Sequence, residues 1–312
     1  MSKIFNKRDF FVLVVGILAS VIGFIYIQFG VGDEQTPVRV QQPIIFVSDQ
    51  NKTSSAARHL VTTTSRSGGS VAMHVDIFDD GKIEYLANKN VKQAKQPIIE
   101  ISFSDRNNTT KEQAAQLKKV LNHLNHKYHY ESYDAIGFGS GALAVYYNAI
   151  NYGTKENKMG LDYFISIAGP YKGVIPEPVR ERPVTQEPGK DDHRTNPENG
   201  VNHQMKNNVA ANGRTNGPNL QNVNDRFPSF EELQKKSKNL DDNTQILNIY
   251  GVLSDKDRSD GRVSEDSATA IKKLVKADSY QSLRLTGPYA LHTNILDNQI
   301  AERLVNRFLF ND

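Results

Sequence analysis

The 312-residue chain has no cysteine. That excludes a disulfide framework, a thiolate zinc site, a cysteine nucleophile and a lipidated N-terminal cysteine. The formal net charge of +3 is small for this length. It gives no electrostatic footprint for nucleic acid, and no RNA- or DNA-binding motif is present, so no nucleic-acid partner is expected. There is no internal repeat. Residues 175–228 almost lack large apolar side chains and are rich in Pro, Asn, Asp, Arg and Gly. Such a stretch buries too little surface to offset its ordering entropy, and a flexible insertion is expected over 176–228.

What is present begins with an apolar N-terminal segment. Residues 10–32 carry no charge, and about 20 apolar residues suffice to cross a bilayer as a helix. Lys3, Lys7 and Arg8 precede the segment, and Asp33 and Glu34 follow it. The basic flank stays in the cytoplasm, which places the rest outside. A cleavable signal has a shorter apolar core of about 7–15 residues. The length here favours a retained anchor, while the small-x-small run Gly30-Val31-Gly32 keeps cleavage open. The expected organisation is a cytoplasmic stretch over 1–9, a transmembrane signal-anchor over 10–32, a linker over 33–42 and a domain over 43–312. The partner implied is a cell membrane, with the C-terminal domain extracellular.

Within that domain, apolar runs at 43–47, 97–103, 163–168, 245–250 and 280–285 read as strands. Residues 71–79 and 82–86 alternate around Asp80-Gly81 and read as a hairpin. Helices are expected over 54–66, from a capping box at Thr109-x-x-Glu112, over 140–152, from Ser229-x-x-Glu232, over 264–276 and over 297–310. Strands alternating with helices imply a mainly parallel sheet covered on both faces, an α/β fold. His123, His126 and His129 recur at a spacing of three. Without acidic residues at ligand spacing they read as an exposed helix end near the negative pole of its dipole, not as a metal site. No cofactor or metal is expected.

Chemistry concentrates on a glycine-rich turn. Residues 134–143 run from an apolar strand through Gly137-Phe138-Gly139-Ser140-Gly141 into a helix. That is the layout of the Gly-x-Ser-x-Gly nucleophile elbow, with glycine at the tip. Ser140 is one step late. If it took the tip, Phe138 would crowd a position that calls for a small residue. Its hydroxyl could instead cap the helix. Gly137-x-Gly139-x-x-Ala142 also matches a degenerate dinucleotide fingerprint, but lies mid-domain without the acidic residue that should follow. Downstream, Ser259-Asp260-Gly261 follows one late strand and His292 follows the next. The order nucleophile, acid, histidine is that of an α/β-hydrolase triad.

Together these segments resemble the uncharacterised cell-surface α/β-hydrolase family of Gram-positive bacteria. The similarity rests on the strand at 43–47, Gly81-Lys82-Ile83, the strand at 97–103, Ile136-Gly137-Phe138-Gly139-Ser140-Gly141, Ile167-Ala168-Gly169-Pro170-Tyr171-Lys172-Gly173, Asn248-Ile249-Tyr250-Gly251, residues 259–264 and His292. It implies an α/β-hydrolase-like fold. It also implies that the family's elbow serine falls on Gly139, its elbow histidine on Phe138 and its elbow methionine on Ser140. The family's His-Gly of the oxyanion loop falls on Ser48 and Asp49. The acid and histidine remain as Asp260 and His292.

Two elements are therefore altered. Glycine at the tip removes the nucleophile and fits strained backbone without penalty. Asp49 sets a carboxylate near developing negative charge, where donors normally lower the barrier. The expectation is a degenerate serine hydrolase with an accessory or binding role toward an unknown small-molecule or protein ligand. Its rival is an active ester or amide hydrolase using Ser140, His292 and Asp260. A further alternative is attack by a water that His292 and Asp260 activate.

Overall fold

Eight strands form one sheet in the order β3-β2-β4-β1-β5-β6-β7-β8, with every neighbouring pair parallel except β2 and β3. The structure is a computed structural model and describes residues 42–48, 55–88, 91, 96–104, 108–176 and 223–310. The expected membrane segment, Asp49 and most of the expected insertion lie outside the described residues. Among the described residues no helix is long and apolar enough to cross a membrane.

The strands are β1 Ile44–Val47, β2 Ser70–Ile77, β3 Ile83–Ala87, β4 Pro97–Phe103, β5 Ser132–Phe138, β6 Gly160–Ile167, β7 Gln245–Val252 and β8 Tyr280–Thr286. The helices are α1 Ser55–Ser67, α2 Thr110–Tyr128, α3 Ser140–Asn157, α4 Phe230–Ser237, α5 Glu265–Thr269 and α6 Gln299–Phe310. β1 reads as an unbroken apolar run because both of its faces are covered. Ile45 and Val47 join a core with Leu117, Leu121, Leu143 and Tyr146 of α2 and α3. Ile44 and Phe46 join a second core with Leu60 and Val61 of α1 and Val305 of α6. Period-two alternation thus divides one strand between two cores.

The chain moves from β1 outward to the β2–β3 hairpin, returns through β4, and crosses β1 to reach β5. Strand order reverses about β1, and the carboxyl ends of strands at such a switch point form the crevice where α/β sheets place ligands.

Helix starts follow the sequence signals. Thr109 accepts from the Glu112 amide while the Glu112 side chain accepts from the Thr109 amide, completing a capping box worth about 1 kcal/mol. Ser229 caps α4 through the Glu232 amide. Two elements differ from expectation. α3 runs past Gly153, whose φ of 58° and ψ of −174° kink it, and ends at Asn157 instead of near 152. The helix expected over 264–276 is only α5 followed by a 3-10 turn, Ala270–Lys273. Asn248 on β7 donates to the Ala268 carbonyl at 3.0 Å, beside the point where the α-helix gives way to the 3-10 turn.

At the margins of the expected insertion, Val223–Arg226 forms a 3-10 turn and Phe227 packs against the α2/α3 core. The Val174 amide donates to Asn224 Oδ1 at 2.9 Å and Asn224 Nδ2 donates back to the Val174 carbonyl at 3.2 Å. Of the three histidines, His126 and His129 are exposed. His129 takes the left-handed cap of α2 at φ 61°. His123 is half-buried, stacked on Tyr85 of β3 with ring centroids 4.0 Å apart. Burial first, then Lys127 and His126, lower its pKa from the ordinary value.

Candidate active site

The turn after β5 has elbow geometry centred on Gly139. That residue is the N-cap of α3 with φ 56° and ψ −125°, a backbone conformation that costs a residue with a Cβ on the order of 1–3 kcal/mol. Its amide donates to the Ile167 carbonyl at 2.9 Å, and its own carbonyl accepts from the Ala142 amide at 3.1 Å. The strand-to-helix reversal is therefore pinned on both sides.

The flanking glycines explain why the tip is residue 139. A Cβ on Gly137 would overlap Ala142 in the first turn of α3. A Cβ on Gly141 would lie 2.7 Å from the Ser48 carbonyl oxygen and overlap that of Val47. The two Cβ-free positions stand two before and two after residue 139. Ser140 is the first residue of α3, and the cap position belongs to Gly139, which makes no side-chain capping bond. Ser140 is buried.

The acid and base positions come from loops after β7 and β8. His292 Nδ1 and Asp260 Oδ2 are 2.7 Å apart. The other carboxylate oxygen accepts from the Val263 amide at 2.7 Å and the Arg262 amide at 2.9 Å. The backbones are stapled as well. The His292 amide donates to the Asp260 carbonyl at 2.8 Å, and the Asp260 amide donates to Val263 at 3.1 Å. Both side chains are almost fully buried. With Nδ1 facing the carboxylate, Nε2 is the imidazole's other acid–base atom, and it is buried too, while the Nδ1–carboxylate contact has the form seen in catalytic dyads.

Two contacts made here by Phe138 and Gly251 have no counterpart in the sequence reading. Phe138 lays its ring against His292 with centroids 4.8 Å apart, which ties the elbow to the base. Gly251 in β7 has no room for a Cβ, because the Ala290 carbonyl and Asp260 Cβ press on it. That close approach brings the loop carrying His292 onto β7. The only signal for it in the sequence is a glycine inside an apolar strand, the usual mark of a close backbone approach.

The structure thus brings Ser48, Gly139, Ser140, Asp260 and His292 to the carboxyl ends of β1, β5, β7 and β8. Asp49 is outside the described residues. Tyr171, just beyond β6, bonds to Ser166 Oγ at 2.8 Å. Complete burial raises its phenol well above the ordinary value, so it is no acid–base group at neutral pH. A surface cavity of about 270 Å³ lined by Lys238, Asp241, Lys273 and Lys276 holds none of these groups. Among the described residues no cluster of three His, Asp or Glu side chains has metal-binding geometry. The arrangement pairs a buried imidazole with a buried carboxylate and sets a residue without a side-chain oxygen at the tip of the turn.

A family model described as "alpha/beta hydrolase of unknown function (DUF915)" matches residues 33–212 and 195–312. No curated protein matches the chain. Among solved structures, a protein of Listeria innocua is similar with TM-score 0.66 and 19% identity, over 87% of this chain and 95% of that one. A candidate cell surface hydrolase from Lactobacillus plantarum is similar with TM-score 0.59 and 18% identity, over 88% and 93%. At such identities the likeness is one of fold.

Proposed function

The chain belongs to this α/β hydrolase family of unknown function, and from that premise we propose a membrane-anchored, extracellular member with lost or strongly reduced serine hydrolase activity that acts as a binding or accessory module at the cell surface. One observation carries the reading: the residue with elbow φ/ψ is Gly139. Removing an elbow serine removes the attacking atom and with it the acyl-enzyme route. The extracellular placement rests on the uncharged segment at 10–32 with its basic leading flank. It is supported by the naming of the Lactobacillus plantarum neighbour as a candidate cell surface hydrolase. The ligand is an unidentified small molecule or protein.

The intact Asp260–His292 contact favours a second reading, an ester or amide hydrolase with Ser140 as nucleophile. A fluorophosphonate probe separates the two. The degenerate reading expects no labelling of the folded wild-type chain. Labelling that vanishes in Ser140→Ala establishes the second reading instead. For the anchor, the test is extraction. The full chain stays with membranes after a high-salt and carbonate wash, whereas a cleaved chain is released.

A further inference from the structure

At the opposite end of β5 from the elbow lies a buried carboxyl that the site does not use. Asp134 pairs with Ile44 in the β1–β5 register and is 1% exposed. Gln42, just before β1, places Nε2 2.7 Å from Asp134 Oδ1 and 2.9 Å from Oδ2 of Asp162 on β6. One amide group has two protons and serves both carboxyls. Asp134 Oδ1 also accepts from the Tyr163 amide at 3.2 Å, and Oδ2 faces Gln96 Nε2 at 3.4 Å. The Asp134 amide donates to the Pro43 carbonyl at 2.9 Å. Each of these donors is a neutral amide.

Among the described residues the charged group acting on Asp134 is Asp162, which also acts on the buried phenol of Tyr133. Two carboxyls bridged by one neutral amide, one of them out of water, cannot both ionise cheaply. We propose that the Asp134–Gln42–Asp162 bridge is a proton-operated latch. With a proton in the pair it holds the start of β1 against β5 and β6. Loss of that proton loosens it. The latch is independent of whether the elbow is catalytically dead.

Burial, reinforced by the charge of Asp162 and opposed by the amide donors, raises the Asp134 pKa from 3.8 to about 7. The sign follows. Between these values the closed latch keeps a proton that an opened Asp134 gives up, so closure weakens as pH rises from about 4 to about 7. Its proton-linked contribution is complete below the ordinary value and gone above about 7.

The test is hydrogen exchange of the full chain in detergent micelles from pH 5 to pH 8, corrected for intrinsic exchange rates. Amides of β1 are read against those of α2. Protection of β1 falls by up to about tenfold per pH unit and levels off near pH 7, while α2 does not follow. In Asp134→Asn the slope disappears. In Asp162→Asn the break moves to lower pH, because a neighbouring charge has gone. The proposal is overturned if Asp134→Asn keeps the wild-type slope, if α2 follows β1 in step, or if Asp162→Asn leaves the break in place. The last comparison decides the matter even if Asp134→Asn does not fold.

Discussion

Gly139→Ser is the sharpest test of the elbow assignment. The substitution puts a Cβ at φ 56° and ψ −125°, at a cost of about 1–3 kcal/mol. A domain of this size loses about 2–4 °C of Tm per kcal/mol. The variant therefore melts about 2–12 °C lower and stays folded, since whole domains are stable by roughly 5–15 kcal/mol. Against that cost stands the new oxygen. Deleting the serine of a working triad costs on the order of 10⁶ in kcat, or about 8 kcal/mol of barrier. An unfavourable oxyanion side takes back on the order of 10²–10³. The expected gain is about 10³–10⁴ in the rate of p-nitrophenyl ester hydrolysis over Gly139→Ala, which bears the same backbone strain without the oxygen. Fluorophosphonate labelling should appear in Gly139→Ser and vanish when His292→Ala is added. A folded Gly139→Ser that hydrolyses no faster than Gly139→Ala would refute the placement of the elbow tip at 139.

Three further outcomes follow from the geometry. Asp260→Ala strips the acceptor from His292 and from the amides of Arg262 and Val263; buried donors left unmet cost about 1–3 kcal/mol each. Counting the two fully buried donors, His292 Nδ1 and the Val263 amide, the variant should lose about 2–6 kcal/mol in urea unfolding, more than Asp260→Asn, which keeps an acceptor oxygen. Gly141→Ala drives a Cβ into the Val47 and Ser48 carbonyls, and overpacking of that kind costs about 1–3 kcal/mol, read as a lower denaturant midpoint with an unchanged slope. Thr109→Ala breaks the capping box of α2 and should cost about 1 kcal/mol, while the conservative Thr109→Ser restores most of it.

The parts legible in the sequence are those where local chemistry and tertiary packing agree. β1, β4 and β6 are apolar runs because helices cover both faces of the sheet, and the capping residues of α2 and α4 satisfy amides that any helix start leaves open. The hairpin β2–β3 follows from its alternation and its Asp-Gly turn, with Gly81 at φ 79°. The short α5 is not legible in the sequence, because the contact at its end comes from Asn248, distant in sequence, reaching the Ala268 carbonyl. The pairing of Asp260 with His292 was suggested by their order along the chain, but their contact depends on Gly251 admitting the Ala290 carbonyl. In the sequence Asp134 is only a polar residue at the start of an apolar strand. Its environment is assembled from Gln42, Gln96 and Asp162 on separate segments, which no local pattern encodes.

On the degenerate reading, an Asp260–His292 contact beside a glycine at the elbow tip invites the inference that catalysis survives by another route. The hydrogen bonds argue for a different cause. Asp260 accepts from two amides of its own loop, and its carbonyl accepts from the His292 amide. The pair therefore joins the loops after β7 and β8 whether or not a proton is ever transferred. Removing either side chain would leave buried polar groups without partners, a loss of stability independent of turnover. The elbow serine has no such structural duty. At φ 56° a glycine is less strained than a serine, so Gly139 relaxes the turn while the dyad stays indispensable to the fold. The asymmetry has a measurable signature: Gly139→Ser should lower stability and raise reactivity together, whereas Asp260→Ala in the wild-type background should lower stability and leave reactivity where it was.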